Sequence, residues 1–360
     1  MSNLLRLLFI SSPVGRLGSG VGGGVELTLR NIAVEMLGRG HGVTIVAAKG
    51  STTWGLPLVE IAGVPQISLQ TQQRDTQVII PFSSVLANFW DYARQVQTDY
   101  DLIVNFAYDW LPFYLTPFFN CPVAHFVSMG SLTAAMDQVI EKVAIEFPNT
   151  IGVYTKAQAQ TFAFADKCRC LGSGIDLSLY EFCDLPAPWL GWVGRLSPEK
   201  GLEDAVAASE LTGVPLKIMG FLQDESYWHQ IQHDYPNAPV TYEGFFSTKE
   251  LQQRLRQCRG LLMTPRWIEA FGNVVIEALA CGVPVIAYRR GGPAEIIEDG
   301  KTGLVIEPDS VDALVEAIGK LDDIERYACR HRAEAEYSTV AMGDRVEQWF
   351  RDILTTTKGK

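Results

Sequence analysis

Short runs of consecutive apolar residues alternate along this chain with segments whose apolar positions recur at helical spacing. In the first half the pattern predicts a strand at Arg6–Ser11, a helix at Gly24–Gly38 and a strand at His41–Ala47. A helix at Ser84–Gln97 and strands at Leu102–Phe106 and Pro122–Val127 follow. Strands apolar throughout, set between helices, imply a parallel sheet covered on both faces. Pro186 and Pro188 mark a joint, after which a second alternation begins. It predicts strands at Leu190–Gly194, Pro215–Met219, Val240–Tyr242, Gly260–Thr264 and Pro284–Tyr288. Between and after them lie helices at Leu202–Glu210, Ser226–His233, Thr248–Arg256, Phe271–Ala280 and Val311–Leu321. The expected fold class is α/β, with two doubly wound Rossmann-like domains facing across a cleft. Residues 1–168 form the first domain, 169–339 the second, and a final helix reads over Val340–Ile353. Sheets of this kind place ligands beyond the carboxyl ends of their strands.

Bulk composition narrows the partners. A chain of 360 residues is long for one core. Its net charge of −11 argues against nucleic acid, which calls for a basic face. Residues 1–168 carry 10 Lys/Arg and 12 Asp/Glu with no basic run, which disfavours stable association with anionic lipid. Seven irregularly spaced cysteines fit reduced thiols and a cytoplasmic setting. Cys168 and Cys170 lack the partner pair of a zinc site, and no metal is expected. Leu4–Ile10 is interrupted by Arg6 and reads as a strand, and no segment approaches the roughly 20 apolar residues of a membrane helix. Oligomeric state is left open.

The chemistry concentrates between Thr264 and Glu298, where the chain reads TPRWIEAFGNVVIEALACGVPVIAYRRGGPAEIIE. Glu269 and Glu277 stand eight positions apart, with Phe271-Gly272-Asn273 between them and Gly291-Gly292-Pro293 after them. If Phe271–Ala280 is a helix ended by Gly282, the Gly272 and Asn273 amides lie at its start, where free N–H groups favour an anion. An isolated pair of glutamates is most often solvated on a surface helix. Here Ala270, Phe271, Val274, Val275, Ile276, Ala278 and Leu279 surround them, so the helix is buried and its carboxylates need partners. Vicinal hydroxyls are suitable donors to a carboxylate. A phosphate flanked by sugar hydroxyls on both sides is a sugar nucleotide.

Other motifs gather at predicted strand ends. Gly194-Arg195-Leu196-Ser197-Pro198-Glu199-Lys200-Gly201 brings two cations to the end of the first strand of the second domain. Arg195 can grip phosphate with its planar fork and Lys200 as a compact charge, standing in for the divalent ion that an Asp-x-Asp would hold. Gly220, Gly244 and Phe245 are placed to flank the nucleotide base, with Gly194 and Ala270 beside the sugar nucleotide. Gly18, Gly20 and Gly23 satisfy G-x-G-x-x-G, but no acidic residue ends the second strand, so a dinucleotide site is rejected. His125 follows the apolar Pro122-Val123-Ala124; a satisfied core histidine is the plain reading and a site residue the sharper one. Asn105, Tyr108, Asp109 and Trp110 suit a flat acceptor held between rings, with Ser128-Met129-Gly130-Ser131 beside it. Phe113, Tyr114, Phe118 and Phe119 add aromatic density that plain core packing would also explain.

The spacing of Glu269 and Glu277, with Arg195 and Lys200 before them, closely resembles the E-x7-E region of retaining GT-B glycosyltransferases of family 4. The resemblance covers nearly the whole chain. It implies that Glu269 holds the transferred sugar, Glu277 the nucleotide ribose, and Arg195 and Lys200 the diphosphate, with no metal or cofactor. It also implies that Gly23, Gly24 and Gly18 lie over donor phosphate and acceptor, that His125 lies near the bond being broken, and that the final helix returns to the first domain. Gly172-Ser173-Gly174-Ile175-Asp176 matches the family's N-G-x-D segment except that Ser173 replaces the usual Asn. The runs Ser12–Gly20, Asn105–Trp110 and Ser128–Ser131 look like those of members that place glucose from UDP-glucose on a reduced pterin, tetrahydrobiopterin. A sugar or lipid acceptor, a sugar-nucleotide 2-epimerase and a non-catalytic nucleotide-sugar sensor remain as alternatives.

Overall fold

The computed structural model describes residues 4–19, 23–53, 55–67 and 74–358. Gly20, Val21 and Gly22 of the glycine-rich run lie outside the described residues. The chain divides into two units, Met1–Ser173 together with Thr339–Lys360, and Gly174–Ser338. The first unit runs five residues past the expected boundary at Cys168. The two-residue strand Arg169–Cys170 pairs with the first sheet and cannot leave it without losing those hydrogen bonds.

In the first unit, β1 (Arg6–Ile10), β2 (Gly42–Ala48), β3 (Leu58–Ile61), β4 (Leu102–Asn105), β5 (Val123–Phe126), β6 (Ile151–Val153) and β7 (Arg169–Cys170) form one parallel sheet. Their order is β3-β2-β1-β4-β5-β6-β7. Helices α1 (Gly24–Gly38), α2 (Val85–Val96), α3 (Trp110–Leu115), α4 (Ala134–Glu146) and α5 (Lys156–Ala159) connect the strands. Beyond the predicted elements the sheet gains β3, β6 and β7. The first is a half-exposed edge strand and the others span three and two residues, too short for a periodic signal.

The second unit repeats the plan with β8 (Leu190–Val193), β9 (Leu216–Met219), β10 (Val240–Gly244), β11 (Gly260–Met263), β12 (Val285–Tyr288) and β13 (Gly303–Ile306). These run in the order β10-β9-β8-β11-β12-β13, and every pairing is parallel. The helices are α6 (Leu202–Thr212), α7 (Glu225–Asp234), α8 (Thr248–Leu255), α9 (Asn273–Ala280), α10 (Gly292–Ile296), α11 (Val311–Gly319) and α12 (Arg326–Glu336). In each sheet the winding reverses at one place, between β1 and β4 and between β8 and β11. Loops leaving those strands diverge to opposite faces and open a crevice for ligands.

The final helix α13 (Thr339–Lys358) belongs to the first unit. Arg39, at the end of α1, pairs with Glu347 at 2.9 Å and Asp344 at 2.8 Å. Glu347, also bonded by Arg351, is held down to about 2 by these hydrogen bonds against the opposing effect of burial. Trp349 Nε1 donates to Asn149 O at 2.6 Å. Its ring is 1% exposed and fills the space above Gly152. Among the described residues no helix is long and apolar enough to cross a membrane.

A Cβ at Gly152 would lie 2.5 Å from Leu171 Cδ1 and 2.9 Å from the Trp349 ring. Gly152→Val should therefore destabilise the first unit by about 1–3 kcal/mol through overpacking. Denaturant unfolding followed by tryptophan fluorescence should record that loss; an unchanged midpoint would refute the packing read for α13.

Candidate active site

The loops that leave β8 and β11 carry the strongest candidates, and the fold zips them together. Gly201, at φ +61°, would place a Cβ 2.1 Å from Thr264 O, so only glycine permits the approach. Thr264 Oγ1 donates to Gly201 O at 2.7 Å and accepts from Trp192 Nε1 at 3.2 Å. Arg266 N donates to Glu199 O at 2.9 Å. The result is a direct ion pair between Lys200 of one loop and Glu269 of the other. Trp267 completes it: its Nε1 donates to Glu269 Oε2 at 3.0 Å, and its ring centroid lies 4.8 Å from the Lys200 ammonium. Arg195 is half-exposed, donating to Gln223 Oε1 at 2.9 Å and pairing with Glu199 at 3.4 Å.

Glu277 sits in the middle of α9, whose sequence NVVIEALA is buried from Val275 onward. The helix starts at Asn273 rather than Phe271 because Gly272 takes φ +93°, outside the helical range, and serves as its N-cap. No side chain caps this end and its first turn holds no acid. By helix geometry the Asn273 and Val274 amides point outward, while Val275 N bonds Gly272 O. Among the described residues Asn273 Oδ1 is buried without a hydrogen-bond partner. Phe271 and Ala270 are buried, Phe271 edge-on to Tyr337 at 6.0 Å.

The expected loop at Gly291-Gly292-Pro293 is instead the start of α10. Its glycines admit the 269–271 backbone: a Cβ on Gly291 or Gly292 would lie 2.4 Å from Glu269 O or Phe271 O.

Burial raises the Glu277 carboxyl to about 7, opposed only in part by a 3.2 Å hydrogen bond from the Tyr180 hydroxyl. A carboxylate this enclosed gains from any ligand that brings further donors.

Around β9 and β10 the glycines again mark close backbone approach. A Cβ on Gly220 would lie 1.8 Å from Gly194 O, and Gly220 N donates to Gly244 O at 2.8 Å. Phe245 is 70% exposed. Tyr180, Trp267, Glu199 and Gln223 were not singled out by the sequence pattern. Trp267 stands two residues from Glu269, but nothing local distinguishes it from a packing tryptophan.

In the first unit the structure separates the predicted residues into two groups. His125 lies inside β5 rather than at its end, paired with Asn105 and Ile151. Its ring is 0% exposed and stacks on Phe113 at 4.2 Å. Thr116 Oγ1 donates to Pro112 O, so it accepts from His125 Nε2 at 2.9 Å, and Asn105 Nδ2 donates to His125 Nδ1 at 3.2 Å. Burial pushes the imidazole down to about 3. The expectation that His125 lies against the reacting bond is thus corrected: both ring nitrogens are occupied and no ring atom is open. Asn105 is corrected for the same reason, 1% exposed with Nδ2 also donating to Ala107 O and Oδ1 accepting from Ala107 N.

The second group is more open. Asp109 caps α3 by accepting from Leu111 N at 3.2 Å, and burial raises its carboxyl. Trp110 stacks on Tyr114 at 4.5 Å. Tyr108 donates to Gly130 O at 2.9 Å and so joins the loop after β4 to the turn that contains Ser128. Gln158 Nε2 braces that turn through Val127 O and Met129 O. In the glycine-rich loop Gly18 N donates to Glu26 Oε2 at 2.8 Å, while Gly23, at φ +68°, opens α1 ahead of Gly24. Among the described residues no group of three or more His, Cys, Asp or Glu is placed to hold a metal.

Residues 186–336 match the model of the family described as glycosyl transferases group 1. The chain is 23% identical to D-inositol 3-phosphate glycosyltransferase of Corynebacterium glutamicum over 97% of each. It is 39% identical to sucrose synthase of Acidithiobacillus caldus over 28% of this chain, a stretch spanning only 12% of that enzyme. Among solved structures it is similar to Anabaena HepE in complex with UDP, at TM-score 0.77 and 19% identity, covering 97% of this chain and all of the other. Sucrose-phosphate synthase of Thermosynechococcus elongatus gives TM-score 0.78 at 19% identity over 98% of this chain. The chain has the GT-B fold of two Rossmann-like units, and its second unit carries the group 1 match.

The Glu277 carboxyl supplies a test with a definite sign. Its value rises from 4.5 to about 7 on folding, so the folded state holds a proton that the unfolded chain releases between those values. Its contribution to stability is complete below 4.5 and is lost as pH rises through 7. Ligand-free Glu277→Gln should be more stable than wild type by about 3 kcal/mol at pH 8, shrinking to about 1 kcal/mol at pH 5. Urea unfolding at the two pH values measures it; a pH-independent difference would refute the burial.

Proposed function

We propose that the protein is a retaining glycosyltransferase that moves glucose from UDP-glucose onto a hydroxyl of tetrahydrobiopterin without a metal ion. The observation that carries this is the meeting of Lys200 and Glu269 at the β8/β11 reversal, beside the uncapped start of α9 with Glu277 enclosed within it. Diphosphate, hexose and ribose each find their complement there. Arg195 and Lys200 take the phosphates, the Asn273 and Val274 amides point at the same anion, and Glu277 accepts the ribose hydroxyls. A similar solved protein is described in complex with UDP-glucose, which supports the uridine donor.

In the ligand-free protein Lys200 and Glu269 neutralise each other. An arriving diphosphate competes for Lys200 and frees Glu269 to accept hydrogen bonds from sugar hydroxyls. The acceptor hydroxyl then attacks the anomeric carbon on the face that the phosphate leaves. The bond to the acceptor oxygen forms as that to the phosphate oxygen breaks, and the hydroxyl proton passes to the departing diphosphate. Arg195, Lys200 and the α9 amides stabilise the charge that grows there. The neutral, enclosed His125 takes no proton and supports the first unit from within. Trp110 and Tyr114 offer a stacked pair of rings for a flat pterin, with Asp109 nearby as a hydrogen-bond acceptor.

Mass spectrometry of UDP-, GDP- and ADP-sugars against reduced pterins, lipids and simple sugars should find a hexosylated pterin with UDP-glucose. An epimer formed from donor alone, or tight donor binding with no product, would reject the proposal. Glu269→Ala should lower transfer at least about 10³-fold while UDP binds no more weakly than to the wild type, since Lys200 is freed for the diphosphate. Wild-type turnover in that variant would remove Glu269 from the site.

A further inference from the structure

Tyr180 lies just beyond a short 3-10 turn, Leu177–Leu179, and is 4% exposed. Its hydroxyl donates to Glu277 Oε1 at 3.2 Å. Its backbone carbonyl accepts from Arg330 Nη1 at 2.8 Å, and the same nitrogen donates to Ala280 O at 2.7 Å. One guanidinium on α12 thus ties the backbone of Tyr180 to the last turn of the helix that bears Glu277. The phenol is delivered to the carboxylate by a fixed frame, so little side-chain entropy opposes the bond.

We infer that Tyr180 is a positioning residue for nucleotide binding: its hydroxyl fixes Oε1 of Glu277 so that the remaining acceptor positions of the carboxylate meet the two vicinal hydroxyls of a ribose. This rests on the assignment of Glu277 to the nucleotide above. A carboxylate has about four acceptor positions, so one phenol and a diol fit without displacement.

Among the described residues, the charged and titratable groups nearest α9 have partners elsewhere or face solvent. On α12, Arg326 donates to the carbonyls of Cys183, Cys258 and Arg256, and Arg330 also pairs with Glu334. Beyond α8, Arg256 pairs with Glu181. Glu295 on α10 is exposed, and Asp176 accepts from Ser178. At the end of β12 the Tyr288 hydroxyl bonds Asp204. Burial pushes the Cys258 and Cys281 thiols up to about 12, so both stay neutral. The Tyr180 hydroxyl is the donor that lowers the Glu277 carboxyl against burial.

The test is Tyr180→Phe, which removes the hydroxyl and keeps the ring. In ligand-free protein, the side-chain carboxyl ¹³C signal of Glu277 should titrate at higher pH in the variant than in the wild type, where burial raises the carboxyl to about 7. UDP affinity by calorimetry at pH 7.5 should fall about tenfold, the loss expected for one hydrogen bond to a charged group. In a Glu277→Ala background, where the hydroxyl has no acceptor at that position, the same change should alter UDP affinity less than about twofold. A wild-type titration midpoint, or an equal loss of affinity in both backgrounds, would overturn the inference. A shifted titration with no UDP binding to wild type would instead overturn the nucleotide assignment and leave the coupling of the two side chains supported.

Discussion

The site depends on a single topological constraint, the reversal of winding between β8 and β11. Two parallel neighbours whose connections leave to opposite faces expose their carboxyl ends to the same volume. Backbone N–H and C=O groups at such ends have no further strand to pair with and must be satisfied across the gap. Here Thr264, Gly201, Glu199 and Arg266 do so, drawing the two loops into contact until Lys200 and Glu269 meet. The ion pair is a consequence of the sheet order. Its strength comes from partial enclosure, since both side chains are less than one-fifth exposed and Trp267 shields one flank.

A second cost is concentrated on α9. A helix buried on nearly every side holds a carboxylate whose proton affinity is raised by the lack of water. Such a group lowers the stability of the ligand-free protein and lends affinity to any ligand that supplies donors. The glycines around it serve the same end. Gly272 ends the loop, and Gly291 and Gly292 allow α10 to press against the 269–271 backbone. Without that contact the carbonyl of Glu269 would lose the hydrogen bond from Gly292 N at 2.7 Å.

How far the sequence was legible differs by link. Strands apolar throughout and helices with a clear stripe were readable, and most boundaries fall within two residues of the elements seen. Glu269 and Glu277 stood out as carboxylates among apolar neighbours, and Arg195 and Lys200 as cations at a strand end, each in conflict with local expectation. His125 carried the same kind of signal with a different meaning. Reading it at the carboxyl end of the strand made it a site residue; its pairing with Asn105 and Ile151 puts it within the sheet, where burial keeps it neutral and hydrogen bonds occupy both ring nitrogens. Tyr180 and Arg330 could not be seen at all. Their contacts with α9 span 97 and 50 residues of sequence and follow from tertiary packing alone.

The two units also differ in how they treat polarity, and the difference matches the chemistry proposed for each. At the β8/β11 reversal the side chains are charged and partly enclosed, as the proposed anionic donor requires. At the β1/β4 reversal Asn105 and His125 are neutral, mutually bonded and sealed. Beyond them lie a phenol, a pair of stacked rings and one carboxyl raised by burial. The stacked Trp110 and Tyr114 rings suit a flat molecule, in keeping with the acceptor proposed above. Because Asn105 and His125 brace β4 against β5 from inside, the loops above them are held without any titrating group beneath.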